Sequence, residues 1–218
     1  MKKVLTLAVA AALAGGAAMT HAYEAGDWIV RAGAATVAPD ADSDTVPSLG
    51  VTVDVDDNTQ LSIIGTYMAT EHFGIELLAA TPFSHDISVN EINAEAGETK
   101  HLPPTLSIQW YPRGDKDGWQ PYVGLGVNYT IFFDEEADSD LEGIVGKADL
   151  DLDDSFGLAA SAGVDIPLGE HWAFNVGVWY IDIDTTAEVT LREAGNAKVK
   201  FDVDIDPWVY NIGIAYKF

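Results

Sequence analysis

The sequence predicts an all-β fold: an eight-stranded antiparallel up-and-down transmembrane β-barrel with short periplasmic turns and four long extracellular loops. Three observations lead there. The first is the chain's end, residues 207–218 (PWVYNIGIAYKF). Trp208, Tyr210, Ile212, Ile214, Tyr216 and Phe218 fall on one face, and Val209, Asn211, Gly213, Ala215 and Lys217 on the other, because strand side chains alternate. Aromatics stand at both ends of the greasy face with aliphatics between them, the lipid-facing profile of a membrane strand with a girdle at each interface. The second is spacing. Period-two runs bounded by Gly, Pro, Asn and Asp occupy 27–37, 60–68, 73–80, 105–111, 121–133, 155–166, 172–183 and 207–218. The connections between them run 22, 4, 24, 9, 21, 5 and 23 residues. Long and short alternate throughout, as a meander with its turns on one side requires and a Greek-key sandwich does not. The third is the start: Met1-Lys2-Lys3, an apolar run, then Thr20-His21-Ala22. This reads as a cleaved secretory leader over 1–22, leaving 23–218 as one barrel domain. No later run approaches the roughly 20 apolar residues of a membrane helix. A membrane span must therefore be a closed barrel, in which every backbone group finds a partner.

Composition narrows the function. The formal net charge of −24 makes nucleic acid an improbable partner, since phosphate binding needs a basic surface. There is no cysteine, hence no disulfide framework and no thiolate metal site. No cofactor is expected.

Taken in order, the first strand turns Trp28, Val30, Ala32 and Ala34 outward and Ile29, Arg31, Gly33 and Ala35 inward. An arginine facing lipid at the midplane costs about 2–4 kcal/mol, which assigns Arg31 to the lumen. The second strand supplies Ile64 and Met68 to the interior. The third sends Phe73, Ile75, Leu77 and Ala79 out and Gly74, Glu76, Leu78 and Ala80 in. The fourth is broken at its outer end by Pro103-Pro104. In the fifth, Val123, Leu125, Val127, Tyr129 and Ile131 face out, with Tyr122, Gly124, Gly126, Asn128 and Thr130 inside. The sixth sets Phe156, Leu158, Val164 and Ile166 against lipid and leaves Ser161, Gly163 and Asp165 within. The seventh puts Phe174, Val176, Val178 and Tyr180 out and Asn175, Gly177, Trp179 and Ile181 in. Arg31, Glu76, Asp165 and Lys217 share lumen faces near the periplasmic ends of their strands. They are expected to form an ion-paired plug at the barrel floor, because charges withdrawn from water must find partners. Above it, Trp179, Leu78, Ile64 and Met68 suggest an apolar interior, either a narrow greasy pocket or a plain packed core; eight strands leave room for no more.

Long stretches, in order and correctly spaced, resemble the OmpW family of Gram-negative outer-membrane proteins: AGDWIVRAGAATVAPD at 25–40, NTQLSIIGTYMATEHFGIELLAATPFSH at 58–85, HLPPTLSIQWYP at 101–112, PYVGLGVNYTIFFDE at 121–135, VWYIDIDTTA at 178–187 and DPWVYNIGIAYKF at 206–218. The resemblance implies an eight-stranded outer-membrane barrel with a hydrophobic interior that lets small apolar molecules cross, and it makes Leu78 and Trp179 pocket-lining. The loops here (DVDD, DEEADSDLE, DLDLDD) are more acidic than the family leads one to expect.

The remaining motifs are weak. Asp149, Asp151, Asp153 and Asp154 lack the turn glycine and bidentate glutamate of a calcium loop. Asp182 and Asp184, with Asp202, Asp204 and Asp206, could bridge cations to lipopolysaccharide or be solvated loop acids. His85 with Ser84 and Ser88 would matter if the barrel modified lipids, but catalysis needs geometry held by rigid elements. The expected function is passive, non-enzymatic passage of small hydrophobic solutes, with lateral exit where the second strand (Ser62, Gly65) or the proline-broken fourth lacks ladder bonds. The alternative is a structural or adhesive barrel with a sealed lumen. Expected partners are small hydrophobic solutes, outer-membrane lipids, lipopolysaccharide, and the barrel-assembly machinery reading the strand that ends in Phe218.

Overall fold

The computed structural model describes residues 22–39, 45–46, 51–89, 94–138, 142–143, 146–193 and 195–218. The expected leader lies, apart from Ala22, outside the described residues. Fifteen strands are described: β1 (Trp28–Ala38), β2 (Thr45–Val46), β3 (Val51–Val55), β4 (Asn58–Met68), β5 (Phe73–Ala80), β6 (Phe83–Val89), β7 (Ala94–Leu102), β8 (Thr105–Trp110), β9 (Gln120–Ala137), β10 (Ala148–Leu152), β11 (Ser155–Pro167), β12 (Trp172–Ile181), β13 (Asp184–Leu191), β14 (Ala197–Asp204) and β15 (Trp208–Lys217). Eight of them, β1, β4, β5, β8, β9, β11, β12 and β15, pair antiparallel with their neighbours in chain order. The ring closes where β15 returns to β1, from Ile29↔Lys217 to Ala38↔Trp208. Closure leaves no barrel edge for lipid to meet.

The alternation expected on each strand holds. Leu125 is 74% exposed and Ile212 58%, whereas Arg31, Glu76 and Asp165 are wholly buried. On β9 the outward row from Val123 to Ile131 covers eight residue steps, about 26 Å at roughly 3.3 Å each, comparable to the apolar band of outer-membrane barrels. Trp28 packs on Tyr67, and Tyr216 on both Trp172 and Phe218, at the end that carries the short turns and both termini. Tyr180 packs on Trp208 at the opposite interface.

Beyond the band the described parts of the long connections are mostly strand, which the acidic composition does not announce. The upper half of β9 leaves β8 and pairs with β7, from Leu102↔Ile131 to Gly97↔Ala137. β7 pairs with β6, and β6 with β3. β10, β13 and β14 form a separate three-stranded sheet.

One interruption in the wall matters for function. β5 and β8 pair only as far as Leu78↔Thr105. Pairing on that side resumes at Phe83↔His101 between β6 and β7. Pro103 and Pro104 lie between and offer no N–H, so no ladder pair joins 79–82 to 102–104. Thr81 instead gives its N–H to the Leu61 carbonyl on β4, at 2.9 Å. The other side of the same segment stays closed, with the Tyr129 N–H on the Pro104 carbonyl at 3.2 Å. The second strand is not a weak point, contrary to expectation. Gly65 pairs with Val30 and Leu77, and Ser62 with Gly33 and Ala80, so β4 is held on both sides.

Candidate functional site: a polar floor beneath an apolar chamber

Arg31, on the inner face of β1, is the centre of the floor. Its five N–H donors all find acceptors. Nε and Nη2 clamp Asp165 at 3.1 and 2.6 Å. Nη1 meets Thr66 Oγ1 at 2.7 Å and Glu76 Oε2 at 3.3 Å, and Nη2 also meets the Tyr111 hydroxyl at 3.0 Å. The guanidinium stands 5.0 Å from the centre of the Tyr122 ring, a cation–π contact. A planar fork with donors on three nitrogens suits this bidentate geometry, which a lysine could not reproduce.

The network runs across the lumen. Asp165 also accepts from the Tyr23 hydroxyl at 2.6 Å and from Asn175 Nδ2 at 2.8 Å. Asn175 bonds Tyr122 and Asn211, and Asn211 accepts from Ser62 at 2.5 Å. Tyr111 donates to Gln109. Every one of the eight barrel strands contributes a member. At this level and below it Tyr23, Ile29, Met68, Tyr111, Tyr122, Ala173 and Ala215 pack as a second apolar cluster.

Above the floor lies the larger cluster, with Ile64, Leu78, Trp179, Ile181, Val209 and Phe83 among its members. Trp179 lays its indole down toward the floor. A Cβ on Gly177 would stand 2.6 Å from the indole, so the glycine is what lets the ring lie flat against β12. The indole N–H is turned toward Glu76 without closing a hydrogen bond of ordinary length, and Glu76 Oε1 and Trp179 Nε1 are both buried without a partner. The space left in this chamber is a cleft of about 10 Å³, room for one water-sized group. Ala35, Val37, Leu78, Ala80, Phe83, Pro103, Ile181 and Val209 line it. It therefore opens against the unpaired stretch of the wall.

Two expectations need correction. Lys217 has the right inward parity but takes no part in the floor. Next to Phe218 at the foot of β15, it reaches the rim, where Nζ donates to the Ala22 carbonyl at 2.8 Å and lies 3.7 Å from Asp27. Met68 is buried, yet in the cluster below Arg31, packed under Tyr111 and Tyr23. It cannot line the chamber, because β4 descends and carries its last residue past the floor. Ile64, Leu78 and Trp179 do stand in the upper cluster. Tyr23, Thr66, Tyr111, Tyr122 and Asn175 were missed as floor residues; inward parity at the same height as Arg31 marks Thr66, Tyr122 and Asn175.

The peripheral motifs settle into ordinary places. Ser84 bonds Glu98, while His85 turns inward and places Nδ1 2.6 Å from the Asp56 carbonyl, so the two form no nucleophile–base pair. The carboxylates of Asp182, Asp184 and Asp206 gather within 4.8 Å. Burial first, then the charges of Asp182 and Asp206, raises the Asp184 carboxyl above its usual range. Asp206 already accepts from the Ile183 N–H at 3.1 Å and the Tyr180 hydroxyl at 2.9 Å, a loop-end cap.

Comparison with known proteins agrees with this architecture. Outer membrane protein W of Vibrio cholerae serotype O1 is 46% identical over 216 residues, 97% of both chains. The crystal structure of OprG from Pseudomonas aeruginosa superposes with a TM-score of 0.82 at 46% identity, over 90% of this chain and 98% of that one. A more distant relative is the dibenzothiophene metabolism operon protein PahQ of Pseudomonas aeruginosa, 25% identical over 89% of this chain and 90% of its own. The family model described as the OmpW family matches residues 24–218. A closed eight-stranded barrel with a lipid-facing aromatic band, matched over nearly its whole length, makes this chain a member of the OmpW family of outer-membrane proteins.

Proposed function

We propose that the barrel is a passive, non-catalytic conduit that takes small apolar molecules from outside into the membrane by a sideways route. The observation that carries this is a coincidence of position. The floor is closed by a cluster around a fully bonded arginine, and among the described residues an apolar cleft above it abuts the stretch of wall where β5 and β8 lose their pairing. A solute descending among the loops meets apolar side chains, is refused by buried charge, and has lipid beside it. The name of PahQ, which refers to an operon for metabolism of an apolar polycyclic compound, fits that solute class. On this reading the barrel's other partners are outer-membrane lipids and lipopolysaccharide around the apolar band, and the assembly machinery that reads the strand ending in Phe218.

Filling the gap tests the route. Pro103→Val with Pro104→Val restores two backbone N–H donors, one toward β5 from position 103 and one toward β9 from position 104, whose carbonyl already faces Tyr129, and uptake of an apolar fluorescent probe into cells is expected to fall several-fold at equal barrel abundance. The rival, a structural or adhesive barrel with a sealed lumen, draws on the small volume of the cleft. It is favoured if the proline variant and the parent take up the probe at the same rate.

A further inference from the structure

His85 on β6 and His101 on β7 stand diagonally across the hairpin directly above the gap: Phe83 pairs with His101, and His85 with Thr99. Both side chains are buried, 2% and 5% exposed. Their rings stack at 4.9 Å and 13°, with the Phe83 ring beside both, 5.6 Å from His101 and 6.5 Å from His85, and Phe132 of β9 tilted against His101 at 5.8 Å. Phe83 is itself part of the apolar cleft. The stack thus fastens the hairpin that forms the upper lip of the opening to the wall at β9.

The stack holds together only while it is neutral. A carbonyl only accepts, so His85 Nδ1, 2.6 Å from the Asp56 oxygen, carries the ring's proton. A second proton must go to Nε2, which is buried without a partner. The surrounding charges are few. The carboxylates of Asp56, Asp57 and Asp86 favour a charged His85, but burial outweighs them and its pKa is lowered. Lys100 of β7 is engaged with Asp134 of β9 at 3.4 Å. His101 feels burial first and the charge of His85 second, which together press its pKa down to about 3. A single imidazolium could be cushioned by the aromatic faces beside it. Two, ring upon ring, repel in a setting with little water to screen them.

We propose that the His85–His101 stack is a proton-operated latch on the lateral opening: neutral, it holds the β6–β7 hairpin closed over the cleft, and protonation of the pair releases it. This deepens the conduit reading and rests on it for the meaning of the opening. The sign follows from linkage. Imidazoles depressed in the closed form return to about 6.5 once the hairpin opens, so the closed form is fully favoured above that pH. Below it, the closed-to-open ratio falls by about tenfold per pH unit for His101, until about pH 3, with His85 adding in the same direction.

Hydrogen exchange on the full barrel in lipid vesicles tests this without reference to transport. After correction for the intrinsic rate, amides of 83–88 and 97–102 are expected to lose at least tenfold protection between pH 7.5 and pH 5.0, with the β13–β14 hairpin as internal control. His85→Asn, which keeps a donor for Asp56, combined with His101→Phe, which keeps the stack, should abolish the loss. His101→Phe alone should diminish it, should the double variant fail to fold. Equal protection at both pH values in the parent, or an undiminished loss in the variants, overturns the latch. Uptake of the apolar probe by the same vesicles separates the two ideas. An acid-dependent loss of protection with no uptake at either pH sinks the conduit and leaves the latch. Uptake with pH-independent protection does the reverse.

Discussion

Replacing Arg31 with Met is expected to lower the barrel's stability by about 3–5 kcal/mol, the usual effect of removing one partner from a buried ion pair. The reason is arithmetic of charge. Asp165 and Glu76 are wholly buried, and the guanidinium is the cation that faces both. Without it two buried carboxylates lose their counter-charge, and the neutral donors that remain, Tyr23 and Asn175 on Asp165 and Thr66 on Glu76, do not replace it. Urea unfolding in lipid vesicles, followed by tryptophan fluorescence, measures the change. Adding Glu76→Gln and Asp165→Asn to Arg31→Met removes the orphaned charges and should recover part of the loss. If Arg31→Met alone unfolds at the parent's urea concentration, the cluster is not what closes the floor.

Trp179→Arg is expected to reduce uptake of an apolar probe at least tenfold while the barrel still assembles. The second half of that expectation comes from Glu76, one oxygen of which is spoken for by Arg31 while the other lies unpartnered under the indole. An arginine on β12 at this height finds that oxygen ready, so its charge can be seated rather than expelled. What it removes is the apolar base of the chamber, replaced by a cation that a greasy solute must displace. The measurement is probe uptake against the amount of folded, heat-modifiable barrel in the outer membrane. Parent-level uptake at equal abundance would mean that solute does not pass over this residue.

How much of this was legible in the sequence depends on which physical rule each feature obeys. Strand identity and sidedness were, because lipid on one side and packed side chains on the other impose period two on every strand; Leu125 and Gly124, or Ile212 and Asn211, could be sorted without coordinates. The meeting of Arg31, Glu76 and Asp165 follows from inward parity at a shared height. Parity alone misplaces Lys217 and Met68, since each lies one turn-length nearer the rim, where a long stem reaches Asp27 or a thioether slips beneath the floor. The upper sheets escaped notice for a different reason. β14, AKVKFDVD, does alternate Val199, Phe201 and Val203 with lysine and aspartate, but it lies within a stretch that the long–short spacing reads as a loop. The histidine stack could not be read, because it depends on cross-strand register between β6 and β7, a hairpin within what the spacing reads as a loop.

The route itself can be mapped in one experiment. The folded barrel in lipid vesicles is exposed to a small apolar solute bearing a diazirine, irradiated, and digested for mass spectrometry. Adducts are expected on Leu78, Ala80, Phe83, Pro103 and Trp179, the side chains around the cleft and its base, and none on Ile29 or Met68 below the arginine layer. Label on Ile29 and Met68, or label confined to outward residues such as Leu125 and Ile212, would contradict a chamber that is closed beneath and empties through its side.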